Sequence, residues 1–272
     1  MKKILGFVTI LFIVWLLLPI SQVNAKPENR HDQLTLPAHD EDAEVVYLGK
    51  SKDSDTDQVV EGYAFIYRSR DSKPAKSARI PNCYGYLASG AKWKTVENWL
   101  VNTDNTRGLD SSFVLDNLSN NMTKWEDASD GIIGNSLGVN ILGSGSETAD
   151  TLVADTTAPD GTNEVYFGDI AESGVIAVNT IWGIFSGPTK FREIVEWDLV
   201  FDQVDFDWSA TGESTKMDFE NIATHELGHS TGMNDLYNSS CNLETMFGYA
   251  SDGETIKRDL HTGDINGINL LY

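Results

Sequence analysis

One stretch restricts the fold of this chain more than any other: His225-Glu226-Leu227-Gly228-His229-Ser230-Thr231-Gly232-Met233-Asn234-Asp235. On a helix each residue turns about 100°, so His225 and His229 share a face and their imidazoles can converge on one tetrahedral metal ion. Glu226, one position along, reaches a water at that ion without taking a coordination place. A straight helix would carry later residues away, so a third ligand requires the chain to turn. Gly232 permits the turn, because glycine adopts the left-handed conformation that ends helices. Asp235 then returns as an oxygen ligand. Two histidines and a carboxylate are an accepted catalytic zinc set that leaves one position open, and Glu226 is placed to act as general base and later to pass the proton to a leaving amine. The competing reading is a helix with solvated histidines, followed by Asp235 as an ordinary turn residue.

Composition narrows the alternatives. With 5 His and 2 Cys among 272 residues, a cysteine-rich zinc scaffold, an iron–sulfur protein and a disulfide-dense mini-protein are excluded. The 41 acidic residues outnumber the 20 Lys and Arg, for a net charge of -21, which disfavours nucleic acid and anionic lipid as partners. Met1-Lys2-Lys3 precedes an uncharged stretch at 4–18, then Pro19, and Val23-Asn24-Ala25 has the small residues of a cleavage site. Residues 1–25 are therefore expected to be a secretory signal, and the mature protein to be extracellular. The stretch falls short of the ~20 residues that span a bilayer, and an uncleaved N-terminal anchor, the only expected membrane contact, is the alternative.

Residues 26–80 form an acidic region with strand-like runs at Val45-Val46-Tyr47-Leu48 and Gly62-Tyr63-Ala64-Phe65-Ile66-Tyr67, expected to pair in a small leading unit. Residues 70–81, rich in Lys, Ser and Pro, read as a linker or processing region, with a domain boundary near Ile80. Within 81–272 a strand is expected at 93–102. Val114, Leu118, Met122 and Trp125 define a helix over 111–127, capped by Ser111 or Ser112. A long loop follows at 143–161, then strands at 174–182 and 194–201, and helices at 218–233 and 263–271. That order describes an α/β or α+β domain.

The motif residues resemble the extended zinc motif of the metzincin metallopeptidases, and Glu244-Thr245-Met246-Phe247-Gly248-Tyr249 resembles their Met-turn. The ending Asp264-Ile265-Asn266-Gly267-Ile268-Asn269-Leu270-Leu271-Tyr272 is similar to that of the matrixins. The resemblance implies a twisted, mostly parallel sheet with an antiparallel edge strand at 174–180, the active-site helix, the Met-turn and a C-terminal helix. It implies one catalytic zinc, with Met246 as a hydrophobic floor beneath it. Extended peptides would pair with the edge strand, and Tyr249 would help wall the S1′ pocket. Calcium, which matrixins commonly bind, has a candidate place among Asp198, Asp202, Asp205 and Asp207.

Two departures stand out. Asp235 occupies the place of the usual third His, as in some bacterial metzincins. Of the remaining histidines, His31 and His39 precede the domain and only His261 lies within it, so a second, His-rich zinc site is not available. Cys83 and Cys241 suggest one disulfide in an exported protein. Matrixin zymogens offer another role, a pro-region thiolate on the zinc, but Pro81-Asn82-Cys83-Tyr84 lacks the usual Pro-Arg-Cys-Gly pattern. The expectation is a secreted, monomeric zinc endopeptidase acting on proteins or peptides. The alternative from another class is an exported binding or adhesion protein that keeps the fold without turnover, against which Glu226 argues.

Overall fold

The computed structural model describes residues 33–69 and 82–272. The expected signal at 1–25, His31 and the 70–81 segment lie outside the described residues. Among the described residues, no helix is long and apolar enough to cross a membrane.

The chain forms β1 (Val45–Lys52), β2 (Val59–Ser69), β3 (Trp99–Asn102), α1 (Ser111–Ala128), β4 (Gly145–Glu147), β5 (Asn163–Gly168), β6 (Val175–Ile184) and β7 (Glu193–Asp202). Then come β8 (Trp208–Ser209), β9 (Met217–Asp218), α2 (Phe219–Ser230), β10 (Tyr249–Ala250) and α3 (Thr262–Leu271). One sheet runs β1-β2-β6-β7-β5-β3-β4, with β10 added alongside β2. The pairs β3–β4, β3–β5 and β5–β7 are parallel, whereas β6 is antiparallel to both β7 and β2. The mixed α/β class expected from the sequence is the one observed.

Period-two alternation sorts side chains to two cores. Phe65, Tyr67, Ile181, Trp197 and Phe201 face α1 and α2, whereas Ala64, Ile66, Val178 and Val200 face the opposite layer, closed by Leu34, Leu152 and Ala154. In the middle of the sheet β5 and β6 are buried on both faces, and β6 carries the largely apolar run that such burial requires.

Several boundaries differ from expectation. The cap of α1 is Asp110, not Ser111 or Ser112, because one carboxylate oxygen accepts both the Ser112 and Phe113 amides, at 3.0 and 3.2 Å. The strand expected from residue 93 begins only at Trp99, and Trp93 instead donates its indole N–H to the Ser230 carbonyl at 2.7 Å. The 143–161 loop contains β4. The largest difference concerns the N-terminal runs. They pair with each other as expected, yet they are not a separate unit: β2 lies against β6 along the register Glu61↔Gly183 to Arg68↔Val175. The strand at 174–182 is therefore antiparallel but not an edge. Apolar residues on both faces of β2 are the physical reason, since a free-standing hairpin would leave one of those faces in water.

Candidate metal centre

The helix that carries the motif is set before any metal is considered. Asp218 caps α2 by accepting the Asn221 amide at 3.0 Å, and the Arg258 guanidinium meets its carboxylate at 2.6 and 2.8 Å. Phe219, Ile222, Ala223 and Leu227 are fully buried. Gly228 is required by space: a Cβ there would lie 2.2 Å from the Met246 sulfur and 2.7 Å from the Trp125 ring. Met246 is thus pressed against the helix that bears both histidines. At the other end the Gly232 amide bonds to the His229 carbonyl at 2.8 Å and the Met233 amide to the Gly228 carbonyl at 3.0 Å, with Gly232 at φ +104°. This pair of bonds is the Schellman motif, and it turns the chain back across the face it has just left.

The turn brings Asp235 to the imidazoles. Asp235 Oδ1 lies 3.2 Å from His225 Nε2 and 3.5 Å from His229 Nε2. His225 Nδ1 donates to the Thr245 carbonyl at 2.7 Å and His229 Nδ1 to the Met233 carbonyl at 3.1 Å. A ring nitrogen facing a carbonyl must carry the proton, so each Nε2 lone pair points to the common centre. His225 Nε2, Asp235 Oδ1 and both Glu226 carboxylate oxygens are buried without a hydrogen-bond partner. Buried polar groups rarely stay unpaired. A cation between the Nε2 atoms and Oδ1 satisfies His225 and Asp235, so the residues present fit a metal ion. Burial pushes the Glu226 carboxyl up to about 8, with His229 opposing the rise and Asp235 adding to it. Burial works the same way on Asp235, but the two imidazoles outweigh it and hold that carboxyl well below the usual carboxylate range.

Support comes from residues the motif did not reveal. Asp264, on the first turn of α3, accepts the Thr245, Met246 and His261 amides at 2.7, 3.2 and 2.9 Å. It thereby holds the Met-turn, whose Thr245 carbonyl orients His225. The sequence signal was an acid three residues after the cap position His261, a spacing that reaches back to amides. Asn179 on β6 donates to the Glu226 carbonyl at 2.7 Å and the Ser230 hydroxyl at 3.0 Å, tying α2 to the sheet. No sequence pattern announced that pair. His261 precedes α3 and stands outside the metal group.

The centre is covered by the N-terminal strand. The Tyr67 ring stacks on His225 at 3.8 Å between centroids and the Phe65 ring on His229 at 4.1 Å. Tyr249, on β10, pairs with Arg68 of β2, and its hydroxyl faces the Glu44 carboxylate at 3.5 Å. Cys83 and Cys241 form a disulfide with Cα atoms 5.3 Å apart, which leaves no thiolate for a metal. The acids expected to gather around Asp198 do not. Asp202 accepts the Val204, Asp205 and Ile170 amides, and Asp207 pairs with Arg107 at 2.7 Å. Asp198 instead meets Glu196 and Asp155, all with ligand atoms within 4.8 Å of one another.

Residues 164–272 match the family model of the matrixins, peptidase family M10. The match begins in β5 and runs through the helix, the turn and α3. No curated protein matches the chain.

Proposed function

We propose, from the match of residues 164–272 to the matrixin family model, that this protein is a secreted zinc-dependent endopeptidase that hydrolyses extended protein or peptide substrates. The observation that carries the reading is the convergence of His225 Nε2, His229 Nε2 and Asp235 Oδ1 beside a Glu226 carboxylate with no other partner. His225, His229 and Asp235 would hold one zinc ion. When bound, zinc supplies a Lewis acid that polarises a peptide carbonyl and makes a water acidic enough to attack it.

The chain's own residues do the rest. Glu226, one residue beyond a ligand and close enough to feel the charges of His229 and Asp235, takes the proton of the attacking water and delivers it to the departing amide nitrogen. Its buried setting raises its proton affinity, which suits a group that must both accept and return a proton near neutral pH. The carbonyls of Thr245 and Met233 fix both imidazoles, so the ligand geometry is in place before substrate arrives. Met246 fills the space below the helix. Tyr249 forms part of the wall beyond the Met-turn, on the S1′ side.

Calcium belongs to the same reading, at Asp155, Glu196 and Asp198 rather than along the run from Asp198 to Asp207. Glu196 is 1% exposed and one of its oxygens has no partner. A rise in melting temperature on adding calcium, absent in Glu196→Gln, is the expected result.

The function is tested by quantifying zinc in the purified protein and following cleavage of an unfolded protein with and without chelator, alongside Glu226→Ala. Stoichiometric zinc with chelator-sensitive cleavage that the variant loses is expected. Zinc without any turnover, after the N-terminal region is removed as well as before, would leave a binding protein on the same fold.

A further inference from the structure

Asp235 has the shortest side chain in the metal group. It reaches less far than a histidine would, so the backbone at 235 must stand close to the two imidazoles. The tolerance is small. Atoms bonded to a tetrahedral zinc ion at about 2.0–2.2 Å lie about 3.3–3.5 Å from one another. Asp235 Oδ1 is already 3.2 Å from His225 Nε2 and 3.5 Å from His229 Nε2. Helix α2 ends at Ser230, so the helix alone does not hold Asp235 there.

The residues on both sides of Asp235 are clamped. On one side the Leu87 amide donates to the Gly232 carbonyl at 3.2 Å and the Asn234 amide to the Gly85 carbonyl at 3.0 Å, which makes Tyr86 and Met233 an antiparallel pair. The Met233 carbonyl, between those two bonds, is the acceptor that orients His229. On the other side the Leu236 amide donates to the Met246 carbonyl at 2.8 Å and the Gly248 amide to the Leu236 carbonyl at 3.0 Å. This second clamp belongs to the turn whose Thr245 carbonyl meets His225. The first belongs to a segment remote in sequence, 83–87, whose start is joined to Cys241 by the disulfide. Cys83 sits at φ +46°, a conformation that a residue with a Cβ keeps only where its surroundings impose it. A closed ring therefore runs from Cys83 through Gly85 and Asn234 to Asp235, and back through Cys241.

We propose that residues 83–87, locked by the Cys83–Cys241 bridge, are a positioning element of the metal centre: they fix the backbone of 232–235 at the distance from which an aspartate, and not a longer side chain, completes the ligand set. The bridge then governs how tightly the metal is held and which side-chain length is accepted at 235. A disulfide that only restricted the unfolded chain would have neither effect. The inference rests on the zinc reading of His225, His229 and Asp235, and not on turnover.

The test is a cycle of four full-length proteins: wild type, Asp235→Glu, Cys83→Ala/Cys241→Ala, and the three changes combined. Zinc affinity is measured by competition with a chromophoric chelator, and hydrogen exchange of 85–87 and 232–236 by mass spectrometry. Asp235→Glu keeps the charge and adds one methylene. With the bridge in place it is expected to weaken zinc binding at least about tenfold; without the bridge the same change should cost less than about threefold, because the backbone can withdraw to fit the longer side chain. The bridge-free protein that keeps Asp235 should bind zinc about 10–100-fold more weakly than wild type. It should also exchange faster at 85–87 and 232–236, with the protection of α2 retained. An Asp235→Glu penalty of the same size with and without the bridge, or zinc affinity unchanged by loss of the bridge, would overturn the proposal. If the bridge-free chain does not fold, Leu87→Pro takes its place in the cycle under the same criteria, since it keeps the disulfide and removes the amide bonded to Gly232. Absence of zinc from wild type would sink the metal reading and this inference together. Stoichiometric zinc with the expected coupling but no turnover would count against the endopeptidase reading alone.

Discussion

At the residue scale the centre depends on which atoms are left without a partner. Glu226 has two such oxygens and stands outside the group of converging ligand atoms, whereas Asp235 Oδ1 lies within 3.5 Å of both imidazoles. The two acids should therefore fail differently. Glu226→Gln is expected to keep its zinc and lose activity by about 10²–10⁴-fold, the range for a positioned acid–base group. Asp235→Ala is expected to lose zinc itself, measured by metal analysis after dialysis; unchanged metal content would remove Asp235 from the ligand set. Glu196 gives a prediction in pH. Burial first, then the charge of Asp198, lifts its carboxyl from 4.5 to about 10. Between those values the folded chain binds more protons than the unfolded one, so stability falls as pH rises through that window. With calcium removed, Glu196→Gln should melt higher than wild type near the alkaline end of the window and show a flatter dependence on pH.

At the scale of elements, helix α2 is held by groups far from it in sequence. Gly228 lets Met246 approach, and the added methyl of Gly228→Ala would meet the Met246 sulfur at 2.2 Å. Overpacking of that kind costs about 1–3 kcal/mol, and a denaturant titration should show it. Asp264 accepts three amides, including that of Met246. Its replacement by Ala leaves buried donors unpaired, at a cost of about 1–3 kcal/mol each at most. Because the Thr245 carbonyl orients His225, the same change should weaken zinc affinity by about 10–100-fold, as loss of a supporting hydrogen bond does in metal sites. Zinc affinity equal to wild type would show that the Met-turn holds its shape without α3. Helix α1 illustrates what was legible at this scale. The stripe of Val114, Leu118, Met122 and Trp125 marked it from spacing alone, yet its cap was one residue earlier than the serines suggested, because Asp110 reaches two amides at once.

For the molecule as a whole, the disulfide joins the segment ahead of β3 to the segment after α2 across 158 residues. Removing a native disulfide typically costs about 2–5 kcal/mol, and reduction should lower the melting temperature accordingly, with the 235–248 segment exposed first in hydrogen exchange. The main disagreement between sequence and structure also belongs to this scale. Residues 45–69 read as a separate leading unit because composition and linker signals are local. Their place against β6 depends on a rim that only the folded sheet presents, and on the His225 and His229 rings that receive Tyr67 and Phe65.

The sequence by itself determined the donor set and its local geometry. Two histidines four apart, an adjacent Glu, a glycine that ends the helix and an Asp three residues later follow from helical periodicity and from the conformations glycine allows. Tertiary structure decided what stands around them. It brought Asp264 to the 244–249 turn, Asn179 to the helix, Glu196 and Asp155 to Asp198, and β2 alongside β6. The physical reason is that these are long-range pairings between side chains with many acceptable partners, and which partner each meets is set only when the sheet closes and the buried polar groups must all be satisfied.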